Sequence, residues 1–161
     1  MTQTELTIAV QSLPHAQGLT VLHRATEGAS GYDLVAAIAE SVTIKPTART
    51  LVPCGFSLTM PIGMEAQVRP RSGLALHYGI TVLNSPGTID SDYRGEIKVI
   101  LINHGTADFT INRGERIAQL VFAQSLQPKF TTVVLDPKTT LRGELGFGST
   151  GMARMGEPKT S

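Results

Sequence analysis

Phe56-Ser57-Leu58-Thr59-Met60 is the stretch on which the fold class turns. Successive side chains of a strand point to opposite faces, so Phe56, Leu58 and Met60 share one side while Ser57 and Thr59 share the other. One face is packed and one is polar. The strand signal extends back to Leu51, and further candidates follow at Leu6–Val10, Ser41–Ile44, Glu65–Arg69, Glu96–Asn103, Arg116–Phe122 and Thr131–Leu135, most of them rich in Val, Ile, Leu, Thr or Phe. The 16 glycines and 9 prolines are spread between these segments and punctuate one compact unit. The best helix is short: Ser72 caps a turn beginning at Gly73, and Leu74, Ala75 and Leu76 supply apolar bulk before Tyr78-Gly79. The expectation is all-β, a barrel or sandwich of jelly-roll type, because a doubly wound nucleotide fold needs helices that the pattern does not supply.

Composition bounds the function. A chain of 161 residues with 41% hydrophobic content builds one sizeable core and not two large domains. Charged residues make up 17%, with 14 basic against 13 acidic, so a nucleic-acid-coating surface is excluded and any nucleotide must meet a local site. A single cysteine, Cys54, excludes an internal disulfide framework and a multi-cysteine zinc knot. His15, His23, His77 and His104 form no short metal-ligand pattern, which disfavours catalytic zinc. No apolar run approaches the ~20 residues that cross a bilayer, so the expectation is a soluble cytoplasmic protein without a membrane or nucleic-acid polymer partner.

Five stretches carry chemistry. In Ala29-Ser30-Gly31-Tyr32-Asp33-Leu34, Asp33 reads either as an Asx-turn residue or as a carboxylate facing a magnesium-bound phosphate, directly or through water. In Arg69-Pro70-Arg71-Ser72-Gly73, Arg71 offers two parallel donors, and Ser72 with the following backbone N–H groups can hold a phosphate oxygen. The plainer reading is a capped turn with a solvent-facing arginine, and Arg69 has the weaker claim. In Asn84-Ser85-Pro86-Gly87-Thr88-Ile89-Asp90-Ser91-Asp92-Tyr93-Arg94-Gly95, Pro86-Gly87 is a tight turn whose arms would form a hairpin pocket suited to a planar base edge. Asp90 can orient and deprotonate a water, Asp92 can pair with Arg94, and Tyr93 either presses on a sugar or is an ordinary half-buried tyrosine.

The fourth stretch, Arg113-Gly114-Glu115-Arg116-Ile117-Ala118-Gln119-Leu120, sets Gln119 between Ile117 and Val121 on one strand face, as an amide among apolar neighbours. Such an amide needs partners: Gln119 can hold an attacking water or a phosphate oxygen, and Arg116 can brace a carboxylate. The bland alternative is bonding to nearby backbone alone. The fifth, Arg142-Gly143-Glu144-Leu145-Gly146-Phe147-Gly148-Ser149-Thr150-Gly151, has too little apolar bulk for core and reads better as a ligand-closing flap. There Phe147 can stack on a base while Arg142, Ser149 and Thr150 donate to a terminal phosphate.

In order, the strings GYDL, PRSGLA, GTIDSDYRGEI, RGERIAQL and RGELGFGSTG over residues 31–151 closely resemble the homotrimeric deoxyuridine triphosphate nucleotidohydrolases, or dUTPases. The resemblance implies a distorted jelly-roll subunit with one short helix over residues 1–141, and a glycine-rich arm over residues 142–161 that closes a neighbouring subunit's site in a homotrimer. It further implies magnesium as cofactor and dUTP as substrate. Carried over by position, Asp90 activates water with Gln119 beside it, Tyr93 lies under the deoxyribose, and Asn84 with the hairpin backbone of Gly87, Thr88 and Ile89 reads uracil. Arg71, Ser72 and Gly73 meet phosphates, Lys98 and Arg116 belong to the substrate-binding set, and Asp33 faces the magnesium assembly, most simply through water. Arg142, Phe147, Gly148, Ser149 and Thr150 form the closing arm. One departure is visible: family arms place two glycines before the phenylalanine, whereas Leu145 replaces the first here, at a cost of about 1 kcal/mol if that position needs positive φ.

Two other readings compete. A deoxycytidine triphosphate deaminase shares the fold and trimer but needs chemistry at C4 of the base, and release of ammonia from dCTP would identify it. A non-enzymatic trimeric β-rich assembly module explains the strands and turns but leaves Arg71, Asp90, Gln119 and Arg142 without a purpose, and absence of pyrophosphate release would favour it.

Overall fold

The computed structural model describes residues 6–140 and 142–144. The chain divides into two compact units at Gln127–Pro128. Through the first unit run β1 (Ala9–Ser12), a 3-10 turn at Pro14–Ala16, β2 (Leu22–His23), β3 (Tyr32–Val35), β4 (Val42–Ile44), β5 (Arg49–Pro53), β6 (Phe56–Thr59), β7 (Met64–Arg69), α1 (Ser72–Tyr78), β8 (Ile80–Val82), β9 (Gly87–Asp90), β10 (Lys98–Asn103), β11 (Phe109–Ile111) and β12 (Arg116–Gln124). The strands form a five-stranded sheet in the order β2-β3-β12-β7-β9, a three-stranded sheet β5-β10-β8, and the pairs β1-β6 and β4-β11. Every ladder is antiparallel.

The core lies between these sheets. Phe56, Leu34, Ile44, Ile97, Leu101, Ile111 and Leu120 are fully buried. Each such side chain contributes roughly 1.5–3 kcal/mol of burial, so the β-rich unit is held by the inward face of its strands. Polar satisfaction is equally strict at one corner: the amide of Asn103, wholly buried, donates to the carbonyls of Ile44 and Ala107 at 2.9 and 2.8 Å and accepts from Gly105 N–H at 2.8 Å. A buried amide tied in this way fixes the turn after β10.

Several expectations shift. The segment Leu51–Met60 is two strands, because Gly55 turns at φ +75° and sends β5 to pair with β10 and β6 to pair with β1. A Cβ at Gly55 would collide with Ala16 and Ala37. Ser57 is buried and Thr59 is exposed, so the polar side of β6 is partly covered. The first strand starts at Ala9 instead of Leu6, since the register runs Ala9 to Thr59 through Ser12 to Phe56. Helix α1 begins at Ser72 itself, with Arg71 at the capping position and no side-chain cap. The helix ends in a left-handed Gly79 whose N–H reaches back to Ala75 O. Strands β2, β3, β8, β9 and β11 add to the expected set; each is short and is held by its partner's ladder.

In the second unit Thr131–Leu135 forms no strand, as no ladder among the described residues receives it. Its described structure is a 3-10 turn at Pro137–Thr139, where Asp136 Oδ1 accepts from Lys138 N–H at 2.9 Å. The side chains of Phe130 and Leu135 are exposed. Among the described residues no helix is long and apolar enough to cross a membrane.

Cys54 sits at the break between β5 and β6, fully buried. Burial, aided by the nearby Glu96 charge, pushes its thiol up to about 12. An unfolded cysteine ionises near 8.5, so the site's contribution is complete below that pH and falls by about 1.4 kcal/mol per unit above it, as the unfolded chain alone loses the proton. Urea unfolding at pH 8 and pH 10 should therefore show the stability difference between wild type and Cys54→Ala narrowing by about 2 kcal/mol at the higher pH.

Candidate active site

Strand β12 places the first group of functional side chains. Its ladder with β3 sets Gln119 opposite Asp33, its ladder with β7 sets the same residue opposite Arg69, and β2 sets His23 opposite Asp33. Residues directly opposite across antiparallel strands share a face, so His23, Asp33, Gln119 and Arg69 form one row. The rows on the opposite face, Leu34 with Ala118 and Leu120 with Val68, point to the core. Register is displaced between Arg116 and Ala118, which buries both Ile117 and Ala118. This bulge corrects the simple alternation: Gln119 is half-buried on the polar row rather than an amide in an apolar setting.

Asp33 is the centre of charge in this row. Its side chain is 14% exposed and lies between two guanidiniums, with Arg71 Nε 3.4 Å from Oδ1 and Arg116 Nη1 3.3 Å from Oδ2. Arg71 also donates to the Arg116 carbonyl at 2.7 Å, which ties the loop after β7 to the start of β12. Gln119 Nε2 donates to the Pro70 carbonyl at 2.8 Å. Its Oε1 faces Gly31, where any Cβ would collide with it. Arg69 turns away and donates to Gln67 Oε1 at 3.0 and 2.6 Å. Ser72 and Gly73 stand exposed just beyond Arg71. A cavity of about 600 Å³ opens beside the clamp, lined in part by Arg71, Arg116, Leu74 and Phe109.

The second group gathers at the other end of the sheet. Thr88, Ile89, Asp90, Tyr93 and Lys98 line a cavity of about 280 Å³ with Leu51 and Glu96. The Tyr93 ring lies against Gly95, where a Cβ would meet it, and its hydroxyl donates to the Glu96 carbonyl at 3.1 Å. Ile89 packs partly on the core. Asn84 lies against Gly87, with its Nδ2 only 3.2 Å from where a Cβ would stand. Neither of these two residues lines the cavity. Arg94 donates to the carbonyls of Ser91 and Tyr93 at 2.7 and 2.9 Å, and no ion pair with Asp92 is present among the described residues.

The expected hairpin around Pro86-Gly87 is a corner. Strand β8 pairs with β10 while β9 pairs with β7, so the two arms diverge into different sheets. The register then separates the two groups: Asp90 stands opposite Glu65, four residues along β7 from Arg69, the partner of Gln119. At ~3.3 Å per residue that is about 13 Å along the strand, before the sideways step across the sheet. Asp90 and Gln119 of one chain therefore do not meet.

Arg142 is within the described residues, whereas Leu145, Phe147, Gly148, Ser149 and Thr150 lie outside them. Sequence reasoning missed Gly31 and Glu96. Both stood inside flagged motifs, but Gly31 matters through what it leaves room for and Glu96 through its contacts, and neither has a one-dimensional signal.

An all-β nucleotide-handling subunit, with a guanidinium clamp at one end of its sheet and a carboxylate and tyrosine at the other, is the class that these features define. A family model described as dUTPase matches residues 17–151, and the chain belongs to that family. It is 54% identical over 149 residues to the deoxyuridine 5'-triphosphate nucleotidohydrolase of Brucella melitensis biotype 2, across 91% of this chain and 94% of the relative. In fold it is similar to a mutant dUTPase of Staphylococcus bacteriophage 80alpha solved with dUpNHpp, at a TM-score of 0.78 and 23% identity over 90% of this chain and 98% of that one. A mutant dUTPase from phage phi11 of S. aureus, whose structure concerns a structural Mg(II) ion, has a TM-score of 0.69 at 20% identity over 79% of this chain and 96% of that one.

Gly31→Ala should rotate the Gln119 amide off Pro70. The lost hydrogen bond should lower stability by about 1 kcal/mol in urea unfolding, and a Gln119 side-chain amide signal that stays at its wild-type position in NMR would count against the contact.

Proposed function

We infer that this chain hydrolyses dUTP to dUMP and pyrophosphate, in a homotrimer whose sites each draw on more than one subunit. The observation that carries the reading is the division of the chemistry. A phosphate-directed group of Asp33, Arg71, Ser72, Gly73, Arg116 and Gln119 lies at one place on the chain, and a nucleoside-directed group of Asp90, Tyr93 and Lys98 lies at another. A complete site needs both, and two chains in closed threefold symmetry can supply them where one cannot. No observation favours deamination of dCTP.

In the assembled site Arg71 and Arg116 place guanidinium donors against the phosphates, where charge builds as pyrophosphate leaves. Gln119, its Nε2 held by Pro70, turns Oε1 toward an incoming water. Asp90 of a neighbouring subunit accepts that water's proton as its oxygen attacks the α-phosphorus in line with the leaving pyrophosphate. The Tyr93 ring supports the deoxyribose and leaves no space for a 2'-hydroxyl. Backbone groups of Gly87, Thr88 and Ile89, with Asn84, read the uracil edge, and cytosine would leave their donors and acceptors mispaired. Arg142, Phe147, Gly148, Ser149 and Thr150 close over the nucleotide from the third subunit.

Magnesium fits this donor set in a particular way. Asp33 offers hard carboxylate oxygens, but both are already engaged by guanidiniums, which leaves it an outer contact to an ion that keeps water and phosphate oxygens as its own ligands. Asp33 is the residue that would face it, through water. When bound, the ion would offset phosphate charge and fix the triphosphate's geometry.

Pyrophosphate release should be rapid with dUTP and at least about a hundredfold slower with dCTP, dTTP and UTP. Comparable turnover of any of these would reject the selective pocket.

Asp90→Asn and Gln119→Ala should each lower kcat by about a hundredfold or more. Refolding an equal mixture of the two variants tests the shared site: if the two residues act from different chains, about a quarter of the sites (one half times one half) carry both intact. Recovery of no activity would mean that both residues act from the same chain.

A further inference from the structure

The Tyr93 loop is fastened to the rest of the unit through one residue that the mechanism above does not use, Glu96, which holds Tyr93 by its backbone carbonyl and the neighbouring elements by its carboxylate. The side chain of Glu96 is 15% exposed. Its Oε1 accepts from the Gly55 backbone N–H at 2.9 Å and from His15 Nε2 at 2.6 Å. Its Oε2 lies 3.9 Å from Lys98 Nζ, and its backbone carbonyl accepts from the Tyr93 hydroxyl at 3.1 Å. These contacts join the 3-10 turn at Pro14–Ala16, the corner between β5 and β6, the Tyr93 loop and the first residue of β10.

The anchoring points are themselves rigid. Leu13 N–H donates to the Gly55 carbonyl at 2.8 Å, and Ile97 and Phe56 are tied by a backbone bond of 2.8 Å. Glu96 also lines the 280 Å³ cavity with Asp90, Tyr93 and Lys98. A charge-assisted bond to backbone is stronger than a neutral one, so a carboxylate here holds the cavity wall more firmly than an apolar side chain of the same size.

We propose that Glu96 is a positioning residue of the nucleoside pocket: it sets the Tyr93 ring and the Lys98 ammonium at the cavity wall, with His15 of the amino-terminal turn as its outer clamp. This rests on the dUTP-hydrolysing reading, since it assigns the cavity to the nucleoside. Glu96 touches no reacting atom. Its effect appears in how well substrate is seated, and a small displacement of a seated group is costly.

Steady-state kinetics on dUTP and proton NMR of the Tyr93 ring, recorded without nucleotide, test this together. Glu96→Ala should raise KM about tenfold, change kcat by less than about twofold, and move the Tyr93 ring signals toward those of an unpacked tyrosine. Glu96→Gln keeps an acceptor for the Gly55 N–H and should recover most of the loss. His15→Ala, at a side chain 43% exposed, should raise KM about threefold with the fold intact. Unmoved KM and ring signals in Glu96→Ala overturn the proposal, as does a loss confined to kcat, or a Glu96→Gln as impaired as Glu96→Ala. Should Glu96→Ala fail to fold, His15→Ala decides by the same two measurements. Wild-type protein that leaves dUTP intact would defeat the functional reading, while the ring signals would still decide the placement of Tyr93.

Discussion

The position of β12 between β3 and β7 is the constraint on which the candidate site depends. Its two ladders are fixed by the need to turn Leu120, Ala118 and their neighbours toward the core, and a slip of one residue would expose that whole row. With the apolar row committed inward, the polar row has no choice: Asp33, Gln119 and Arg69 come into line. Hydrophobic burial thus sets the geometry of groups that contribute little to burial themselves. The bulge at Ile117 lets β12 keep this alignment while bringing Arg116 within reach of Asp33.

Charge then organises the neighbourhood. Asp33 holds two guanidiniums that would otherwise repel each other, and so pre-positions them with donors to spare for an anion. An arginine pair held in this way loses less side-chain entropy on meeting a phosphate than two exposed arginines would. Gly31 takes part by lacking a side chain, since the Gln119 amide occupies the space a Cβ would need.

The divergence of β8 and β9 has a different consequence. Had the two arms paired with each other, Asp90 would have sat on an isolated hairpin. Instead β9 is built into the five-stranded sheet, and its outward residues, Thr88 and Asp90, are held as firmly as the sheet itself. That rigidity also carries Asp90 away from Gln119 of its own chain, so the proposed sharing of a site between subunits rests on a register and not on flexibility.

The β class, the short helix, the strands at Glu65–Arg69 and Arg116–Phe122, and the five motif stretches were legible from order and alternation alone. The sequence also singled out a buried amide as a sign of structure, although the wholly buried one is Asn103 and not Gln119. Hidden from it were the break at Gly55, the corner at Pro86-Gly87, the short strands β2, β3, β8, β9 and β11, and the anchoring of Glu96. Alternation is a local property written in neighbouring residues, so it can be read along the chain. Which strand receives which ladder depends on competition among partners far apart in sequence, and contacts such as Glu96 with Gly55 and His15 exist only once that competition is settled in three dimensions.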